Sequence, residues 1–593
     1  MRRVSYQSAR IMQIRKGRGL AMANGPVAPE DPEKKRPYFY IIKDKEIFGG
    51  READGRGIQY FYQDAGRLEN SAQIVGNIED QKMLGLLSTV AGFRQLVHSI
   101  GVSVEMPNPQ EHVSFVFQMY GKHDLYGGGT NLSAELCADG AETRIYLSEA
   151  DWQSDDDVPG QIKIYLDTPE QLGRVSVRLY LNDGYEAPEM IEDLDVDTDA
   201  PAYQQMIGGS LIRTGNTYRL YEAIRRAREG VDVTLAYIGG SITQGAGATP
   251  INTECYAYKS YLHFQKLVGK RENVHFIKAG VGGTPSELGM IRFDRDVLRD
   301  GIEPDVVVVE FAVNDEGDET RGNCYESLVR KILKLPWHPA VILLFSVFAD
   351  DSNLQERLIP VGERYDLPMV SVKNAIVPQF YDTESRILTK NQFFYDRFHP
   401  GNLGHTIMAD CLANLYVQTI HHVEDEGMRD CDYDTSLYDG APVIGCSFDA
   451  IRLLDKKEND ANAKIDCGGF TQTDTELQSV EMDLDLVQTP EFPYNWMYDG
   501  SVCDQLYYFE LKIACRALVV VVKDSGEVDV AKADIYADGA YVRTFDPHEI
   551  GWLHTNPLLI FDEAESGEHT VRIEITPDDR DKKCTILGFG YVE

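Results

Sequence analysis

Residues 231–247 read VDVTLAYIGGSITQGAG, an apolar run with β-branched residues that stops at two glycines and a serine. A strand covered on both faces reads as such a run. Residues 233–238 are therefore expected to form a buried parallel strand that ends at Gly239 and Gly240, with Ser241 on the turn beyond its carboxyl end. Open α/β sheets bind their ligands at that edge. Two familiar glycine-rich readings do not fit. A phosphate-cradling loop needs lysine after its second glycine, and here Ala246 follows Gly245. A G-x-S-x-G elbow needs glycine where Thr243 stands.

Working outward, the pattern repeats downstream. Strands are expected at 274–277, 306–310, 341–345 and 368–372, with helical spacing between them, as over 256–268. Such alternation argues an α/β domain over 214–422, a parallel sheet with helices on both faces. Upstream, 38–185 alternates strand-like runs (113–121, 143–149, 161–167, 174–183) with Gly and Asp turns. Val175, Val177, Leu179 and Leu181 alternate with Ser176, Arg178, Tyr180 and Asn182, the period of a strand with one buried face. A β-sandwich is expected there, with a helix inserted over 81–99. The strand signature returns at 509–524, 533–545 and 569–576, so 443–593 is expected to be a second, jelly-roll-like sandwich.

Acid-rich stretches separate these regions, at 186–213 and 423–442, and both read as linkers because so charged a composition buries little surface. Asp193, Asp195 and Asp197 have calcium-loop spacing, but no glycine occupies the sixth position and Gln204 stands where the bidentate glutamate belongs. Residues 1–37 read as a disordered tail. Within it, 1–21 are basic with no acid, which also suits a presequence, and Met22 could be a start.

At 593 residues the chain exceeds one core and is expected to hold several domains. A net charge of -37 excludes nucleic acid as a partner and favours a neutral substrate. With no apolar stretch of membrane-spanning length and no apolar leader segment, the expectation is a cytoplasmic protein with no membrane partner. The ten cysteines lack C-x-x-C pairs or zinc-like spacing and read as mostly buried free thiols. A homo-oligomer is left open.

Three further stretches follow expected strands. KAGVGGTPSELG (278–289) holds glycines whose N–H groups can approach a substrate closely. EFAVND (310–315) places Asn314, an amide donor for a developing oxyanion, after the strand at 306–310. YDRFHPGNLGH (395–405) sets Asp396 three residues before His399, a spacing that lets a carboxylate bond one imidazole nitrogen while the other faces a serine. Each residue alone has an ordinary reading. Ser241 suits a helix N-cap, Asn314 and Asp315 suit a turn, Asp396 suits a cap of the last helix, and His399 suits the surface. His405, inside that helix, reads as structural. The aromatic run FPYNWMYDG (492–500) reads as core in preference to a sugar-stacking platform.

Taken in order, these four stretches of the middle domain resemble the SGNH, or GDSL, hydrolase family, whose blocks are a G-D-S serine, a glycine, a G-x-N-D asparagine and a D-x-x-H pair. Here Gly240 replaces the aspartate of the first block and Ala312 the glycine of the third. The resemblance implies a flavodoxin-like parallel sheet and a serine esterase that works without metal or cofactor. By position it implies Ser241 as nucleophile and His399 as base oriented by Asp396. The N–H groups of Ser241 and Gly283 with the Asn314 side chain would form the oxyanion hole. Multidomain members with β-sandwich appendages are often carbohydrate esterases, so the implied substrate is an acetylated plant-type oligosaccharide or another small acyl ester. An O-acyltransferase and a non-catalytic carbohydrate-binding protein are the alternatives.

Overall fold

The computed structural model describes residues 35–593 except 125–126, 270–271, 428–429, 434–435, 459–462 and 503–504. All but three residues of the expected tail over 1–37 therefore lie outside the described residues. The centre is a six-stranded sheet of β1 (Leu211–Arg213), β2 (Val233–Gly239), β3 (Val274–Gly280), β4 (Val306–Glu310), β5 (Ala340–Phe345) and β6 (Met369–Ser371), in the order β1-β6-β5-β4-β2-β3. Strands β2 to β6 run parallel, and β1 pairs antiparallel with β6.

The unbroken valine run of β4 shows why these strands read as continuous apolar text. Val306 and Val308 pack in one core with the helices Tyr218–Glu229, Tyr256–Val268 and Asn402–Ile420, while Val307 and Val309 pack in another with Ser286–Asp296 and Asn323–Leu333. All four are fully buried, each worth about 1.5–3 kcal/mol of burial. The carboxyl ends of β2, β3 and β4 lie side by side, since Gly239 pairs with both Gly280 and Glu310.

Before this sheet come two antiparallel sheets around a single core. One holds Tyr38–Phe48, Leu172–Leu181, Val97–Glu105 and Thr143–Tyr146, and the other holds Gly50–Arg51, Gly57–Tyr62, Asp156–Leu166, His112–Gly121 and Asn131–Cys137. Val175, Val177, Leu179 and Leu181 all point into that core. The helix expected over 81–99 is two short helices, Gln81–Leu87 and Val90–Leu96, the second capped by the Thr89 side chain. After the parallel sheet comes an eight-stranded antiparallel sheet. In its central strand Tyr508–Asp524, Leu518, Val520 and Val522 face the sheet's own core, whereas Ala517, Val519 and Val521 join the core of the middle domain. Phe492, Trp496 and Tyr498 are buried, and Tyr494 is exposed.

Two stretches expected as linkers carry structure. Helix Pro201–Gly208 and strand β1 fall inside 186–213, and Asp193 accepts hydrogen bonds from Thr389 and Asn391. Within 423–442, Tyr433 and Tyr438 are buried and Arg219 bonds Asp432 and Tyr438, so this stretch is strapped onto the middle domain. Composition registers the charge of such segments but not the partners waiting for it. The nine described cysteines are free, and Cys255, Cys324, Cys411, Cys515 and Cys584 are buried. No helix among the described residues is long and apolar enough to cross a membrane.

Candidate active site

Strand β2 ends at Gly239, and the chain turns through Gly240 into the short helix Ser241–Gln244. A Cβ at position 240 would fall inside the Asn314 amide, which packs against the turn. Glycine, where the family pattern has aspartate, leaves room for that close approach. Ser241 is the first residue of the helix, with Gly240 as its cap, so the Ser241 N–H is one of the donors a helix leaves unpaired. Its side chain is not spent on capping. The Oδ1 of Asn314 is buried and has no hydrogen-bond partner among the described residues.

The segment between helices Lys390–Phe393 and Asn402–Ile420 supplies the other half of the site. Oδ1 of Asp396 accepts from the backbone N–H groups of Phe398 at 2.7 Å and His399 at 2.8 Å, and Oδ2 lies 2.9 Å from His399 Nδ1. This tight turn aims the other imidazole nitrogen, Nε2, at Ser241 Oγ, 2.9 Å away. Desolvation pushes the Asp396 carboxyl up, but the imidazole and the two backbone donors outweigh it and hold the group below the usual carboxylate range. An ionised Asp396 fixes the Nδ1 proton, leaving Nε2 to accept from the serine hydroxyl. The last helix is capped by Gly401, not by Asp396.

Beyond β3 the glycine loop comes within reach of the serine. A Cβ on Gly282 would lie 3.8 Å from that of Ser241, and Gly283 has φ +73°, a left-handed setting that favours glycine. Two carbonyls of this loop are held by residues of the C-terminal region. Gly282 accepts from Gln478 Nε2 at 2.7 Å, and Gly283 lies 3.1 Å from His554 Nε2. Because C=O and N–H point oppositely across a trans peptide, the Gln478 bond turns the Gly283 N–H away from Gln478. The Trp552 ring, 44% exposed, covers Gly283 so closely that a Cβ there would lie 2.8 Å from it.

The structure thus brings together Ser241, Gly283, Asn314, Asp396 and His399. Asp315 goes elsewhere. It is buried, accepts from both N–H and Oγ of Ser286 at 2.7 Å, and burial pushes its carboxyl up to about 7. His405 accepts from the Tyr256 N–H through Nδ1 at 3.1 Å, and burial lowers it to about 3, so it is a neutral structural group. Beneath the site the fully buried Arg292 donates to the carbonyls of Gly239 at 2.8 Å and Ala279 at 2.9 Å and pairs with Asp296, tying the ends of β2 and β3 together. Gln478, Trp552, His554 and Arg292 escape sequence reasoning because no motif marks them. No group of three or more His, Cys, Asp or Glu side chains placed to hold a metal occurs among the described residues.

Residues 237–407 match the model of the GDSL-like Lipase/Acylhydrolase family. Among solved structures, a two-domain esterase active on acetylated mannans is similar, both when co-crystallised with mannopentaose and without it. The identity is 24% and the TM-score 0.54 in each case. The likeness covers 65% of this chain and 98% or 99% of those chains. No curated protein matches the chain. The family match over 237–407 falls on a parallel sheet that sets a serine, a histidine and an aspartate in hydrogen-bonded sequence, so this part of the chain is similar to GDSL-like hydrolases in both sequence and site geometry.

Proposed function

We propose that this protein is a serine esterase that removes O-acyl groups, acetyl foremost, from neutral oligosaccharides. The observation that carries the reading is the continuous chain of hydrogen bonds from Ser241 Oγ to His399 Nε2 and from His399 Nδ1 to Asp396. As Oγ attacks the acyl carbon, His399 takes its proton. The tetrahedral oxyanion is received by the N–H groups of Ser241 and Gly283 and by the Asn314 amide. Collapse breaks the ester C–O bond, and His399 returns the proton to the departing sugar hydroxyl. Water then attacks the acyl-serine by the same route and releases the acid. Asp396 holds the imidazole in one tautomer and stabilises its charged form.

Three features support a saccharide substrate. The exposed Trp552 ring beside Gly283 offers a flat apolar face of the kind sugar rings lie on. The charge of -37 disfavours anionic polymers. The structurally similar esterase acts on acetylated mannans. The test is acetate release, in water without any sugar acceptor, from a panel of acetylated manno- and xylo-oligosaccharides. Release supports hydrolysis, release only when an acceptor is supplied indicates acyl transfer, and binding without turnover indicates a silent sugar-binding module.

A further inference from the structure

The segment that carries Asp396 and His399 is gripped from the N-terminal side. Lys45, on strand Tyr38–Phe48, is only 6% exposed, and its Nζ donates to the carbonyls of Asn391 at 2.5 Å and Phe394 at 2.6 Å. Two residues earlier on the same strand, Lys43 pairs with Asp193 at 2.9 Å. Asp193 in turn accepts from Thr389 Oγ1 at 2.7 Å and Asn391 Nδ2 at 2.8 Å. Between Phe394 and Asp396, the Tyr395 ring stacks on Phe61 with centroids 5.3 Å apart, and Gln59 donates to its hydroxyl at 3.2 Å.

A lysine is almost never so buried unless its ammonium has partners. Burial lowers Lys45 to about 8, opposed by Glu46, Asp193, Asp396 and Asp44, so the group remains largely charged at neutral pH. Its contacts fall on one element, the stretch just before the catalytic acid. From there to His399 the chain is a single tight turn, closed by Tyr395 N–H to His399 C=O at 2.8 Å and by the bonds to Asp396. A turn so closed moves as a unit, and Phe394 is the hinge-side residue that Lys45 holds.

We propose that Lys45 is a positioning residue for His399. Through it the N-terminal sheet fixes the setting of the 391–399 segment in which Nε2 meets Ser241 Oγ. The N-terminal region is then part of the hydrolase centre and not an appended module. The proposal rests on the esterase reading above, since it assigns Lys45 a role in that reaction. A misplacement of about 1 Å is enough to cost about 10²-fold in rate, so the loss of one brace should register in turnover before it registers in substrate affinity.

The test uses the full chain with Lys45→Met, which keeps an unbranched apolar stem and removes the donors. Three quantities are compared with wild type: kcat and KM for 4-nitrophenyl acetate, melting temperature, and amide hydrogen exchange over 389–400. The expected result is kcat about ten- to a hundredfold lower with KM within about twofold, and faster exchange over 389–400 while β2 to β4 are unchanged. Asp193→Asn, which loosens the same segment from a more exposed position, should shift kcat and exchange in the same direction by less, and it decides the matter if Lys45→Met fails to fold. A folded variant with kcat within about twofold of wild type, or with unaltered exchange over 389–400, overturns the proposal. A wild type without turnover would instead overturn the esterase reading on which it rests.

Discussion

Gln478 Nε2 donates at 2.7 Å to the carbonyl of Gly282, 196 residues away in the chain, and Gln478 Oε1 accepts from Thr555 N–H at 2.9 Å. A side chain pinned at both ends holds the peptide plane whose opposite edge is the Gly283 N–H. Gln478→Leu should therefore lower kcat for an aryl acetate by about tenfold or more, short of the 10² to 10³ that loss of a direct oxyanion donor costs. KM should barely move. Steady-state kinetics on the folded variant checks this, and a change confined to KM would mark Gln478 as a substrate contact instead.

The Asn314 amide lies against the turn at Gly240, beside the Ser241 N–H. Asn314→Ala is expected to lower kcat by about 10² to 10³, or roughly 3 to 4 kcal/mol, with a much smaller effect on KM. Equal binding in ground and transition states would show instead as a raised KM at unchanged kcat, and the oxyanion role would have to be given up.

The two aspartates beside catalytic blocks should behave oppositely. Asp396→Asn presents the wrong partner to His399 Nδ1 and should cost at least about tenfold in kcat, up to about 10⁴, with little change in melting temperature. Asp315→Asn, which disturbs two buried bonds to Ser286, should lower stability by about 1–3 kcal/mol and leave turnover per folded molecule largely intact. Near-full activity in the first and abolished activity at unchanged stability in the second would reverse the assignment.

How much of this was readable before the fold was known follows from burial geometry. Strands β2 to β6 were legible because a strand packed on both faces must be apolar throughout, as Val306 to Val309 are. The site residues on them were legible because each block follows such a strand. Lys45 was not, since KDKEIF reads as alternating surface charge and nothing local shows that two carbonyls nearly 350 residues downstream await it. Arg292 was hidden for a similar reason: in SELGMIRFDRD it looks like one charge on the wet face of a helix, and its burial depends on the carbonyls of two strand ends. The acids of 186–213 argued for solvation, whereas Thr389 and Asn391 give Asp193 partners from outside.

Three buried carboxyls contribute to the pH dependence of stability. Burial raises Glu287 to about 8 and Glu310 and Asp315 to about 7. Between the ordinary carboxylate value and these raised ones the native chain holds protons that the unfolded chain has lost. Stability from these groups is therefore full at low pH and falls as pH rises from about 4.5 to about 8. Glu310→Gln should make the decline in melting temperature between pH 5 and pH 8 shallower than in wild type. Parallel melting curves for the two proteins across that range would show that Glu310 is already ionised in the native state.

The central claim is that Ser241 is the nucleophile, and Ser241→Ala tests it most directly. With purified wild type and variant of matching melting temperature, turnover of 4-nitrophenyl acetate is measured under saturating substrate. Loss of a triad member typically costs several orders of magnitude in kcat, so essentially no turnover above background is predicted for the variant. Activity within about tenfold of wild type would contradict the account.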